Sequence, residues 1–189
     1  MYSKREILTA SNFISFFRLL MAIPFWILGG MLHEPGIRYI VAALAVLGSF
    51  TDILDGFIAR KYNQVTEFGK VIDPLADKIA IAVIVIRLFM ADEIPGYYFY
   101  MIVGRDVLIF IGGILVSNKL GRVLPSNMLG KLTVIVIGLV ILLILFDVSR
   151  SSPFFQFPFY LSIVLIFTSL FGYVYRATEY IKKEADGNT

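Results

Sequence analysis

The stretch "TDILDGFIARKYNQVTEFGKVIDPLADK", Thr51 to Lys78, is the polar interruption in a chain that is otherwise oily. Four aspartates fall within it, Asp52, Asp55, Asp73 and Asp77, and their spacings are helical: i, i+3 in the first pair and i, i+4 in the second. Residues three or four apart share a helix face, so each pair aims two carboxylates in one direction. The polar link from Lys61 to Gly69 is short enough to set the two helices side by side. The expectation is four carboxylates converging on one cleft.

The flanks on either side determine the setting of that cleft. The 189 residues are 58% hydrophobic, above the roughly 45–50% apolar content of soluble domains, and the mean hydropathy is +0.82. A membrane-spanning helix needs about 20 mostly apolar residues. Six such segments can be drawn, at 12–32, 37–60, 72–91, 97–117, 129–148 and 155–178. Turn chemistry separates them: "HEPG" at His33–Gly36, "ADEIPG" at Ala91–Gly96, "LGRVLPSN" at Leu120–Asn127 and "DVSRSSP" at Asp147–Pro153. The expected fold is an all-α membrane protein, a bundle of six transmembrane helices with a short N-terminal interfacial helix. No linker or low-complexity tract divides residues 1–189, which are read as a single domain. The N-terminal run resembles a signal peptide only superficially, because Arg18 interrupts it and no small-residue cleavage site precedes the next span.

Basic residues set the orientation, since short cytoplasmic loops are enriched in Lys and Arg. One side collects Lys4, Arg5, Arg60, Lys61, Lys70, Lys119, Arg122, Lys131, Arg176, Lys182 and Lys183; the other has little beyond Arg38 and Arg150. Both termini and the aspartate cleft are expected to face the cytoplasm. The net charge of +3 is small for nucleic-acid binding, and no nucleic-acid partner is expected. With no cysteine and one histidine, His33, any metal would be held by oxygen.

Such a metal answers an electrostatic need. An ionised aspartate deep in a bilayer costs about 2.5–3.5 kcal/mol on insertion scales, so four uncompensated ones approach ~10 kcal/mol, less near the interface. Arg60 and Lys78 are too few to balance them. Two Mg²⁺ ions, or Mn²⁺ in their stead, would balance four negative charges and take the hard oxygen ligands they prefer. The competing reading is that a D-x-x-D at a helix end is merely solvated or capping, and Asp73 followed by Pro74 has the look of an N-cap and first helical residue. Gly56, Ala59 and Gly69 lie beside the aspartates, where small side chains admit a bulky ligand or let helices pack closely. Arg60 offers a guanidinium fork for phosphate, or snorkels to headgroups.

These residues together read D-x-x-D-G-x-x-A-R, a gap, then G-x-x-x-D-x-x-x-D: Asp52, Asp55, Gly56, Ala59, Arg60, Gly69, Asp73 and Asp77. The pattern resembles the signature of the CDP-alcohol phosphatidyltransferases, integral membrane enzymes that make phospholipids from a CDP-linked donor and an alcohol. No signature position is missing. The resemblance implies that Asp52, Asp55, Asp73 and Asp77 bind two divalent ions, with Asp77 also the general base. It implies a cytidine diphosphate site formed by Asp55, Gly56, Ala59, Arg60 and Gly69. The donor would be CDP-diacylglycerol and the leaving group CMP. Membrane lipids would surround the site, in the inner membrane of a bacterium, and homodimers are usual in the family.

The acceptor is to be read from cations within spans, which are functional candidates by default. Arg105 in "VGRDVLI", Lys131 in "MLGKLTV" and Arg18 in "SNFISFFRLL" form the expected acceptor pocket. The alternative has Arg105 pairing with Asp106 or with a cleft aspartate, and Lys131 marking the membrane boundary. Glycerol 3-phosphate is the expected acceptor; phosphatidylglycerol is the alternative, since "TDILDGFIAR", "DPLADK" and "RDVLI" are also similar to the family's cardiolipin-forming branch. Inositol phosphate is a third choice. Two other classes compete: an aromatic prenyltransferase, which spreads its aspartate motifs more widely, and a divalent-cation transporter, which would repeat its pattern in both halves. The second half does not repeat the aspartates.

Overall fold

The computed structural model describes residues 10–61, 69–120 and 128–185. Among the described residues are six α-helices: α1 (Ala10–Leu28), α2 (Ile37–Lys61), α3 (Gly69–Met90), α4 (Gly96–Leu120), α5 (Met128–Leu145) and α6 (Pro153–Ala185). A 3₁₀ turn at Gly29–Met31 extends α1. The helices fall into two compact units, one holding α1–α3 (Met1–Ile94) and the other α4–α6 (Pro95–Thr189).

In the first unit α1 packs against both α2 and α3. Phe25, Leu32, Val41, Ala42, Val85 and Leu88 form the buried contact near the C-terminal end of α1. Lipid tails are as apolar as these side chains, so burial alone drives little association, and close packing with polar ties must supply it. Two arginines provide the ties. Arg87 of α3 donates from Nε to the Trp26 carbonyl at 2.7 Å and lies over the Trp26 ring, 4.5 Å from its centre. Arg38 of α2 donates from Nε to the Leu32 carbonyl at 3.1 Å and pairs through Nη2 with Glu93, just beyond α3. Each carbonyl lies at the end of α1, where the helix leaves acceptors unsatisfied.

The turns obey local rules. Gly36, with φ 81°, adopts the left-handed backbone that glycine tolerates, and its carbonyl accepts from the Ile40 N–H at 3.2 Å to open α2. Helix α3 ends in a Schellman motif: Glu93 N–H to Leu88 carbonyl at 2.9 Å and Asp92 N–H to Phe89 carbonyl at 3.1 Å. Asp92 takes φ 55° where glycine would be usual. Helix α5 closes the same way, with Val148 N–H to Leu143 and Asp147 N–H to Ile144, both at 3.0 Å, and Asp147 at φ 54°. Ser152 then caps α6, its Oγ accepting from Phe154 N–H at 3.3 Å, with Pro153 as the first helical residue.

In the second unit α6 packs against α4 and α5. Tyr98 and Ser162 share a buried hydrogen bond of 2.7 Å, and Arg105 Nε donates to Ser169 Oγ at 3.4 Å. Both contacts advance by one heptad on each helix, so α4 and α6 run parallel with one continuous seam. One heptad further along α4, Gly112 makes room for Tyr173; a Cβ there would lie 3.1 Å from the ring carbon Cε1. Thr133 of α5 shares its one hydroxyl proton between the Leu129 carbonyl of its own helix at 2.6 Å and the Leu165 carbonyl of α6 at 3.2 Å.

The six expected segments coincide with the six helices within a few residues at most ends. Three of the helices, over Gly96–Ser117, Met128–Leu145 and Pro153–Lys182, are long and apolar enough to cross a membrane among the described residues. The first unit shows shorter apolar stretches, Leu19–Met31 and Ile37–Phe50. The expected six spans are therefore met by three. The described side chains of α2 stop at Phe50 and those of α3 begin at Lys78. The expected interfacial helix and the "LGRVLPSN" turn lie outside the described residues.

Candidate functional site

Asp52, Asp55, Gly56, Ala59 and Arg60 all lie in α2, and Gly69, Asp73 and Asp77 all lie in α3. Their side chains lie outside the described residues. Because both helices run unbroken through these positions, the i, i+3 and i, i+4 spacings are true one-turn spacings. Helix α3 begins at Gly69, so Asp73 lies a full turn inside it and is not the N-cap that the Asp73–Pro74 pair suggested.

The two helices are antiparallel in sequence order, and the Arg38–Glu93 pair ties the start of α2 to the end of α3. At 1.5 Å rise per residue, Asp52 and Asp55 lie ~22 and ~27 Å along α2 from that tied end. Asp77 and Asp73 lie ~20 and ~26 Å along α3 from its tied end by the same rise. The two pairs thus lie at similar distances along their own helices from the Arg38–Glu93 tie. Their donor set is carboxylate oxygen alone, the chemistry a hard divalent cation takes, and imidazole and thiolate are absent from the motif. Among the described residues no group of three or more potential metal ligands occurs.

The second unit carries a different polar centre. Arg105 is buried, 8% exposed, about 13 Å along α4 from its start at Gly96 by helix rise. Its Nη1 donates to Asp106 Oδ1 at 2.6 Å. Its Nη2 reaches the Gly130 carbonyl and its Nε reaches Ser169, both at 3.4 Å. The expected alternative pairing with Asp106 is therefore formed, but only one of three contacts is short. A guanidinium has five N–H donors, so this one retains capacity for another anion. The Gly130 contact brings the fork beside Lys131, the next residue of α5, whose side chain is exposed. Arg18 lies in α1, in the other unit, with its side chain outside the described residues.

Sequence reading overlooked Arg87. A cation between Ile86 and Leu88 in an apolar run was the available signal, and the "GG" at Gly29–Gly30 was its counterpart. A Cβ on Gly29 would lie 2.9 Å from the Arg87 Cβ, and one on Gly30 would overlap Nη2. The two glycines form the seat of that arginine.

Comparison with known proteins adds independent findings. A family model described as CDP-alcohol phosphatidyltransferase matches residues 8–174. A CDP-diacylglycerol–glycerol-3-phosphate 3-phosphatidyltransferase of Rickettsia felis is 35% identical over 135 residues, 67% of this chain and 74% of the relative. The protein of that name from Aquifex aeolicus is 31% identical over 179 residues, 92% of this chain and 98% of the relative. A human cardiolipin synthase (CMP-forming) is 40% identical over 102 residues, 53% of this chain and 33% of the relative.

Proposed function

Because this chain belongs to the CDP-alcohol phosphatidyltransferase family, we propose that it moves a phosphatidyl group from CDP-diacylglycerol to glycerol 3-phosphate, releasing CMP. The observation that carries this reading is the complete aspartate signature on two continuous helices. Asp52, Asp55, Asp73 and Asp77 would hold two Mg²⁺ ions. Bound there, the ions would neutralise the donor diphosphate and stabilise the entering and leaving oxygens.

The remaining roles belong to the chain itself. Asp77 takes the proton of the acceptor hydroxyl as that oxygen attacks the phosphorus of the diacylglycerol-bearing phosphate. The bond to CMP breaks and a phosphodiester forms. Gly56, Ala59 and Gly69 leave room for the cytidine, and Arg60 directs its fork to the diphosphate. Arg105 and Lys131 bind the acceptor phosphate, with Arg18 as a third cation. A charge buried within a helix apolar enough to cross a membrane is costly unless used, which supports that role for Arg105.

The chain is read as one domain of six spans, the family match running through both units. Helices α2 and α3, at 25 and 22 residues, reach ~37 and ~33 Å, enough to cross the ~30 Å hydrocarbon layer, while the 19 residues of α1 reach ~28 Å before the 3₁₀ turn extends it. The basic residues favour cytoplasmic termini and a cytoplasmic cleft, where water-borne acceptor meets lipid-borne donor. The bacterial relatives favour the inner membrane. A homodimer agrees with this reading.

Phosphatidylglycerol is the second reading for the acceptor, favoured by the resemblance to the human cardiolipin synthase. The near full-length match to the Aquifex relative favours glycerol 3-phosphate. The deciding test offers purified protein CDP-diacylglycerol and Mg²⁺ with glycerol 3-phosphate, phosphatidylglycerol, inositol phosphate or serine, and identifies the lipid product by mass. CMP and phosphatidylglycerophosphate are expected. Pyrophosphate release from a prenyl diphosphate, or metal flux into liposomes without lipid turnover, would overturn the assignment.

A further inference from the structure

The end of α1 from Trp26 to Leu32 touches both aspartate-bearing helices through charged side chains. Arg87 of α3 caps the Trp26 carbonyl at 2.7 Å, stacks on the Trp26 ring and fills the Gly29–Gly30 seat. Arg38 of α2 caps the Leu32 carbonyl at 3.1 Å and pairs with Glu93 beyond α3. About two turns of chain thus hold two helices along their axes. We infer that Arg38, Glu93 and Arg87 are positioning residues that set the axial register of α2 against α3 and so the mutual placement of the aspartate pairs at the far ends of those helices.

The inference rests on the phosphatidyltransferase reading, and the physical case is one of leverage. A slip of one residue moves a helix ~1.5 Å along its axis, while a productive site tolerates about 0.5 Å of displacement. Helices α2 and α3 each pack against α1, so their contacts with α1 set the register of one against the other. The Arg38–Glu93 pair is suited to that task because its side chains are only 21% and 11% exposed, which resists screening. Arg87 is suited because its fork has a fixed orientation between a carbonyl, an aromatic face and two glycines, none of which a lysine would satisfy together.

The experiment compares wild type with Arg38→Ala, Glu93→Gln, their double variant, Gly30→Ala and Arg87→Lys in detergent micelles. Mn²⁺ binding is read from the loss of the free-ion electron paramagnetic resonance signal, helix content by circular dichroism, and turnover by CMP release across a metal titration. Each variant is expected to bind Mn²⁺ about tenfold more weakly, the size seen when an outer group that orients metal ligands is removed. The double variant should be no weaker than the worse single one, and saturating metal should restore most of the turnover. A merely structural role would lower the yield of folded protein without moving the metal curve of the folded fraction; Arg87→Lys, the mildest change, keeps that comparison available. Variants that are folded and bind Mn²⁺ as wild type does would overturn the inference while leaving the proposed function intact. Wild-type protein that binds no Mn²⁺ and releases no CMP would overturn both.

Discussion

The two units hold their helices together by opposite means. The first ties α1, α2 and α3 with charged side chains at helix ends, through Arg38, Glu93 and Arg87. The second joins α4, α5 and α6 with hydroxyl groups set within the helices, Tyr98 to Ser162 and Thr133 to the Leu165 carbonyl. A full charge is tolerable where headgroups and water are near, whereas a hydroxyl can be satisfied inside the hydrocarbon layer at little cost. Against that rule Arg105 stands out: it is a charge placed in the hydroxyl seam of the second unit. Its partner Asp106 neutralises it, and its contacts with Ser169 and Gly130 are the longer ones.

The comparison can be broken where it matters most. Removing divalent metal with EDTA should abolish CMP release and readdition of Mg²⁺ should restore it, since the first unit's carboxylates are then uncompensated. Unimpaired turnover would separate the aspartates from the chemistry. Asp77→Asn should lower kcat by about 10³-fold, within the range of general acid–base catalysis, while CDP-diacylglycerol binding survives; isothermal titration of donor alongside a kinetic assay would reveal any loss of binding instead.

Smaller effects sharpen the same contrast in the second unit. Arg105→Ala should raise the KM for a phosphorylated acceptor by about 10–100-fold, the equivalent of one charged hydrogen-bonded contact, with the donor KM nearly unchanged. Equal increases in both constants would return Arg105 to a packing role. Tyr98→Phe should cost about 1 kcal/mol of stability by removing the Ser162 hydrogen bond, and leave both KM values alone; a kinetic effect would show that the seam reaches the site. Asp147→Gly should gain about 0.5 kcal/mol by relieving a left-handed aspartate at a helix C-terminus, measured as a shift in thermal unfolding midpoint, with no change in turnover.

Most of this architecture was readable beforehand, for physical reasons. Apolar runs of bilayer length and the turn residues between them located the helices, and "HEPG", "ADEIPG" and "DVSRSSP" each fall where the chain turns. Asp52, Asp55, Asp73 and Asp77 stand out in the sequence because four carboxylates in an oily chain demand compensation, and the structure places them in α2 and α3 with their side chains outside the described residues. Asp73–Pro74 misled as a helix start, since cap preferences act locally and α3 gains a further turn before it. Arg87 went unread because a lone cation near a helix end has many innocent explanations, and its partners, Trp26 and the two glycines, are remote in sequence. The Arg105–Ser169 contact likewise required the parallel pairing of α4 with α6, which spacing along one strand of sequence does not encode.

The length of α6 has its own consequence. Its 33 residues extend ~50 Å, some 20 Å more than the hydrocarbon layer is thick. The surplus carries Arg176, Glu179 and Lys182 on the same rigid rod whose buried portion holds Ser162 and Ser169. A spin label or fluorophore at the exposed Lys182 would therefore tilt with the seam around Arg105, giving a solvent-side gauge of angular motion deep in the bilayer.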